Sequence, residues 1–264
     1  MPAIKDITRR KMLCAGTAAA AGAIAATSQV FAAPAEPDPD PDLTDMRVRM
    51  TDVKARRGSL SVKDAHIALI TVITAIGLPG DMGPAVEAAL NDGVSPVEIK
   101  EAIIQTTPYC GLARPASVLP AVNAVMKARG IALPLPSQAT VTNETRLADG
   151  IKVQTGIFGD RILEMHKNTP AEQKGIIVDD LSGWCFGDYY TRKTLDLRQR
   201  ELVTFVTIAA LGGCESQLRS HTNANIKVGA TKQNLIDAIR IAEPYLGFPR
   251  TLNALGVVNE VLKG

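Results

Sequence analysis

At 264 residues the chain has room for one large domain or two small ones. Apolar residues make up 46% but aromatics only 4%, so a core must be built mostly from Ala, Leu, Ile and Val. The net charge of +2 is unclustered, and no basic stripe interleaved with aromatics is present, which excludes nucleic acid as an expected partner. None of the four cysteines stands in a CxxC pair, which argues against a zinc ribbon or a dense disulfide framework.

The first 35 residues read as a targeting segment. Thr8-Arg9-Arg10-Lys11-Met12-Leu13 sets paired arginines before an Ala-rich apolar run, and small residues follow at Ala32, Ala33 and Ala35. That order describes a secretory signal, and the paired arginines point to the twin-arginine route. The expected location is periplasmic or secreted. The apolar run is too short and Ala-rich for a good spanning helix, so no stable membrane insertion is expected after cleavage. Cys14 would leave with the signal.

Residues 36–58 form a Pro-Asp linker and a charged arm. The arm is either solvated or wraps a neighbouring subunit. A first helical repeat is expected over 59–130. Ser61 caps a helix with apolar positions Ala65, Leu69, Val72, Ile73 and Ile76. The glycines from 77 to 83 break it, and a short second helix is expected over 84–90. Ser95-Pro96-x-Glu98 is a capping box with proline in the first turn. Its helix stops at Pro108-Tyr109-Cys110-Gly111, and a fourth helix over 114–128 contains Pro120, which should kink it or delay its start.

Residues 131–194 belong to neither repeat. Helices are expected over 144–156, 160–167 and 171–183. The last leads into Trp184-Cys185-Phe186-Gly187-Asp188-Tyr189-Tyr190, either a packing plug or one wall of a small-molecule pocket. The second repeat, 195–264, is expected to hold helices over 196–211, 215–227, 231–242 and 249–262.

The two repeats align. At an offset of about 135, Leu60, Ile73 and Gly77 fall on Leu195, Ile208 and Gly212. After one inserted residue, Gly93, Pro108, Tyr109, Gly111 and Arg114 fall on Gly229, Pro244, Tyr245, Gly247 and Arg250. Matched glycines and prolines fix the helix breaks, so duplication is the simple explanation. The expected fold is all-α, a tandem helical unit with a helical and aromatic insertion between the copies.

At Gly212-Gly213-Cys214-Glu215-Ser216-Gln217-Leu218-Arg219-Ser220-His221 and at 244–255 the chain resembles the carboxymuconolactone decarboxylase family, which includes the alkylhydroperoxidase D-like proteins. The resemblance covers nearly everything after residue 58. It implies an alkylhydroperoxidase D-like helical unit and homo-oligomers, here a trimer of two-domain chains. It also implies a small-molecule substrate and no metal or organic cofactor for the decarboxylases. The peroxidatic branch carries E…CxxCxxxH. Here Cys214 matches the first thiol and His221 the relay histidine, while Gln217 stands in place of the second thiol. Glu201 is close to the relay glutamate.

The residues themselves leave alternatives. Cys214 sits near a helix N-terminus, where a thiolate is favoured, yet a free Cys is as often a small buried hydrophobe. His221 lies two turns further along the same helix and is either an acid/base group or a structural histidine. Glu201 is a relay carboxylate or the ion-pair partner of Arg198 or Arg200. Arg219 and Arg250 are candidates for a substrate carboxylate, with Tyr245 and Trp184 as pocket residues. In the first repeat, His66 replaces Glu201 and Ala85 replaces His221, so chemistry is expected in the second. His66, His166 and His221 show no metal-ligand spacing, and no metal is expected. Cys110, Cys185 and Cys214 leave any disulfide pairing open. Three functions remain: a cofactor-free lyase on a small carboxylated or lactone substrate, a Cys214-dependent peroxidase, and a non-catalytic scaffold.

Overall fold

The computed structural model describes residues 38–263, so the expected export signal lies outside the described residues. From Pro41 on, the described residues form one compact unit. Every regular element among the described residues is helical. The arm holds α1 (Pro41–Met50), exposed along its length, and α2 (Val53–Arg56), whose N-cap Asp52 accepts the Ala55 N–H. The first copy comprises α3 (Val62–Ile76), α4 (Pro79–Asn91), α5 (Pro96–Gln105), the one-turn α6 (Thr107–Cys110) and α7 (Ala113–Ala128). The insertion contributes α8 (Arg146–Phe158), α9 (Arg161–Asn168) and a wide, π-type helix over Gly175–Tyr190. The second copy comprises α10 (Leu197–Leu211), α11 (Glu215–Lys227) and α12 (Lys232–Val261). Gly247 breaks α12 at φ 70° and ψ 164°, and Gly111 ends α6 at φ 79°, so α12 is the counterpart of α5 to α7. The chain is an all-α tandem duplication.

Three expectations need correction. Helix α4 starts at Pro79, not Pro84; the first-turn position of Pro79 needs no N–H, and Pro84 is carried one turn further in. Helix α7 starts at Ala113 and runs on through Pro120. The helix expected to stop before the aromatic cluster instead continues through it to Tyr190. The capping box at Ser95–Glu98 forms as the sequence indicates, and a second forms at Asp196–Gln199.

Helices α3 and α10 pack side by side at the centre. From Asp64 to Ala75 and from Gln199 to Ala210 every residue is buried, as befits helices surrounded on all sides. Their interior threonines return hydroxyls to their own helices: Thr71 to the Ile67 carbonyl and Thr207 to that of Val203. One apolar core takes side chains from both copies.

A buried polar seam joins the copies. The fully buried Arg200 donates to Gln105 Oε1 at 2.9 Å and to the carbonyls of Arg192 and Lys193 at 2.7 and 2.8 Å. Arg192 grips the Glu101 carboxylate with Nε and Nη2. Arg198 pairs with Asp64 at 2.9 Å. Glu201 is therefore free of both arginines that the sequence offered it. The duplication extends to side chains: Arg114 Nη1 donates to the Ala75 carbonyl at 2.6 Å, and Arg250 Nη1 to that of Ala210 at 2.9 Å. Each arginine satisfies a carbonyl in the last turn of a central helix.

Candidate active site

Glu201 lies in the buried stretch of the central helix α10, and its carboxylate is shut off from water. A buried carboxylate requires partners, and it has two. His221, on α11, meets Glu201 Oε2 through Nδ1 at 2.7 Å, and Tyr190 donates its hydroxyl to Oε1 at 2.9 Å. Asn225 Nδ2 donates to the carbonyls of Glu201 and His221 at 3.0 and 2.8 Å, locking the two helices in register.

With Nδ1 held by the carboxylate, His221 keeps Nε2 as its working atom. The ring borders a cavity of about 530 Å³ and meets the rings of Tyr109 and Phe158 edge-on, with centroids 5.5 and 5.4 Å away. The volume is in the range of small-molecule sites. The walls are largely apolar, with Ile162, Met165, Leu181 and Phe186 among them.

Behind Glu201 runs a relay of hydroxyls. Tyr190 gives its proton to Glu201, so it accepts from its other neighbours, Tyr109 at 3.0 Å and Thr204 at 2.7 Å. The Cys185 thiol points at the Tyr109 hydroxyl at 3.6 Å. Burial pushes the Tyr109 and Tyr190 hydroxyls well above the ordinary tyrosine range, with the nearby Glu201 charge adding to it. Burial likewise pushes the Cys185 thiol up to about 12. All three therefore keep their protons at neutral pH and act as donors, not as nucleophiles.

The other sequence candidates lie elsewhere. Cys214 is the N-cap of α11, half-buried, and borders a separate narrow cleft with Ile208, Leu218 and Arg250. Its backbone is non-helical, at φ −121° and ψ 38°, and it does not line the cavity that His221 faces. Arg250 is committed to the Ala210 carbonyl. Arg219 is exposed and forked to Glu260 at 3.0 and 2.9 Å. Trp184 stacks edge-on against Tyr189, outside the cavity. Cys110, Cys185 and Cys214 are all free thiols. Among the described residues no group of His, Cys, Asp or Glu converges as metal ligands would.

Tyr245 borders the counterpart cavity of the first copy, about 450 Å³, with His66, Ala85 and Asp92. Duplication explains the exchange, since each copy lends its Pro-Tyr tyrosine to the other copy's pocket. There His66 Nε2 meets Asp92 Oδ2 at 2.8 Å, and Lys54 holds the second carboxylate oxygen at 2.7 Å. Ala85 leaves that pocket without a second imidazole. Sequence reasoning missed Tyr109 and Tyr190 as partners of the site. The Pro-Tyr match between the repeats was the available signal for Tyr109. The aromatic cluster 184–190 was the signal for Tyr190, and its Phe186 does line the cavity.

An all-α duplicated bundle with a buried carboxylate–imidazole pair facing an apolar cavity defines a class of helical proteins equipped for proton transfer. Within that class the chain belongs to the carboxymuconolactone decarboxylase family, which it matches twice, over residues 41–124 and 178–260. It is 30% identical over 127 residues to the 4-carboxymuconolactone decarboxylase of Acinetobacter baylyi, covering 47% of this chain and 91% of that protein. It is 28% identical over 116 residues to the nitrosuccinic acid decarboxylase of Metarhizium robertsii, covering 43% of this chain and 79% of that protein.

Proposed function

We propose that the protein is a decarboxylase of small carboxylated or lactone substrates that uses Glu201 and His221 as its acid–base pair. The observation that carries this reading is the 2.7 Å contact between a fully buried carboxylate and an imidazole whose free nitrogen borders a cavity. Two decarboxylases among its relatives support the reaction class. When the C–CO₂⁻ bond breaks, its electron pair passes into the conjugated or carbonyl-bearing body of the substrate. The His221 imidazolium then gives its Nε2 proton to the carbon that held the carboxylate, and solvent restores that proton. Glu201 orients the ring and stabilises its charged form. Such proton transfer contributes about 10²–10⁴ in rate. The apolar walls favour loss of CO₂, because the localised charge of a carboxylate is poorly solvated there and becomes delocalised over the substrate as the C–C bond breaks.

No observation favours the thiol reading, since Cys214 stands outside this cavity. A panel of small carboxylated lactones and activated acids, assayed for CO₂ release by the purified protein, tests the proposal. Release that requires Glu201 supports it. No release, together with thiol-dependent peroxide reduction, would reverse it. Export by the twin-arginine route and assembly into a trimer belong to the same proposal. Cell fractionation with Arg9 and Arg10 replaced by Lys tests the first, and light scattering tests the second. Among the described residues no helix is long and apolar enough to cross a membrane.

A further inference from the structure

We infer that the insertion between the repeats builds an anion subsite, Arg161 with Gln154, that holds a substrate carboxylate retained through the reaction. The inference rests on the cavity reading above and names the substrate class of that site: a small acid or lactone with an apolar body and one retained carboxylate.

Arg161 is the one permanently charged side chain bordering the His221 cavity. It makes no ion pair or hydrogen bond with another described residue. Its guanidinium instead lies 5.2 Å over the Phe158 ring, and Phe158 itself stands edge-on against His221. Stacking of this kind holds the planar fork in place while leaving its N–H groups available. The position is costly for a cation: Arg161 opens α9, where the helix dipole favours negative charge. A bound carboxylate removes that conflict.

Gln154 supplies the second donor. It is almost fully buried in α8 and borders the cavity. Its orientation is set from behind. Ser182 Oγ donates to Gln154 Oε1 at 2.6 Å, and with that proton spent it accepts from His166 Nε2 at 2.9 Å. The chain His166 to Ser182 to Gln154 has one polarity, and it leaves the Gln154 amide N–H groups without a partner among the described residues. An amide donor and a guanidinium bordering a largely apolar cavity match a single carboxylate. The close crossing of α8 and the π-type helix holds this chain together: a Cβ on Gly150 would fall 1.8 Å from the Ser182 carbonyl oxygen. Gln154, Arg161 and His166 all lie between the two segments matching the family, so this wall belongs to the insertion.

Binding of 5-oxotetrahydrofuran-2-carboxylate and its methyl ester, measured by calorimetry, tests the subsite without any need for turnover. The wild-type protein is expected to bind the acid at least about tenfold more tightly than the ester, as befits a charge-assisted pair. Arg161→Gln should abolish that preference, Gln154→Leu should reduce it, and Arg219→Gln should leave it intact. Arg161 is exposed, so its replacement is not expected to disturb folding, and circular dichroism of each variant checks this. An acid preference that survives Arg161→Gln, or no binding of the acid to the wild type, would overturn the inference. Glu201→Gln separates the two proposals, because it should lower turnover while an acid preference that depends on Arg161 persists.

Discussion

Replacing Glu201 by Gln removes one charge and almost no volume. The Gln carbonyl oxygen can still accept from Tyr190, at the position where Oε1 now lies 2.9 Å away. Its NH₂ then faces His221 Nδ1, where Oε2 now sits at 2.7 Å. Two donors cannot face each other, so the imidazole must place its proton on Nε2 and accept at Nδ1. The variant therefore holds His221 neutral in one tautomer and no longer stabilises the imidazolium. If His221 is the proton donor, turnover should fall by about 10²–10⁴, or about 3–5.5 kcal/mol of barrier. Loss of the charge-assisted hydrogen bonds should cost up to about 3 kcal/mol of stability, offset in part because a buried charge also disappears. Nitrogen-detected NMR of the His221 ring reports the tautomer, and CO₂ release reports the rate. An unchanged tautomer with turnover near that of the wild type would refute the reasoning.

Other outcomes follow from the same structure. With burial holding Cys185 up at about 12 from an ordinary value of 9.0, the unfolded chain loses this proton at lower pH than the folded one does. Stability should therefore fall as pH rises from about 9 toward 12, and Cys185→Ala should flatten part of that fall in chemical denaturation measured across the range. Gly150→Ala should cost at least about 1–3 kcal/mol, because the added methyl meets the Ser182 carbonyl and cannot be relieved by a side-chain rotation; thermal unfolding should shift downward accordingly. Arg200→Ala should cost about 3–5 kcal/mol, since it strips the buried seam between the copies of its central cation. That corresponds to a melting point lower by about 6–20 °C for a chain of this size.

The frame of the fold was legible in the sequence because it rests on local signals. Ser61 and Ser95 cap their helices as read, Asp196 and Thr231 do the same in the second copy, and the matched Gly111 and Gly247 break the two copies at equivalent points. Prolines misled where their position within a turn mattered. Pro79, not Pro84, opens α4, and Pro120 interrupts nothing. Of the candidate site, Glu201 and His221 were visible through the motif and do meet. Cys214 precedes His221 by two turns but borders another cleft, since it is the N-cap, with non-helical φ −121° and ψ 38°, and does not continue the face of the helix that carries His221. Arg219, Arg250 and Tyr245 carried the right chemistry, yet each is held or placed elsewhere by contacts across the fold. Tyr190 was visible only as a member of the aromatic cluster, and Gln154 and Arg161 could not be read from local pattern. Their roles arise where the insertion folds back over the second copy, and the insertion has no repeat to be compared with.

The most direct test of the account compares two single variants, His221→Gln and Cys214→Ser, in steady-state CO₂ release on whichever small acid the wild-type protein decarboxylates. The expected result is a fall of about 10²–10⁴ for His221→Gln with Cys214→Ser unimpaired. Full activity in His221→Gln, or activity lost with the Cys214 thiol, would contradict the assignment of the chemistry to the Glu201–His221 pair.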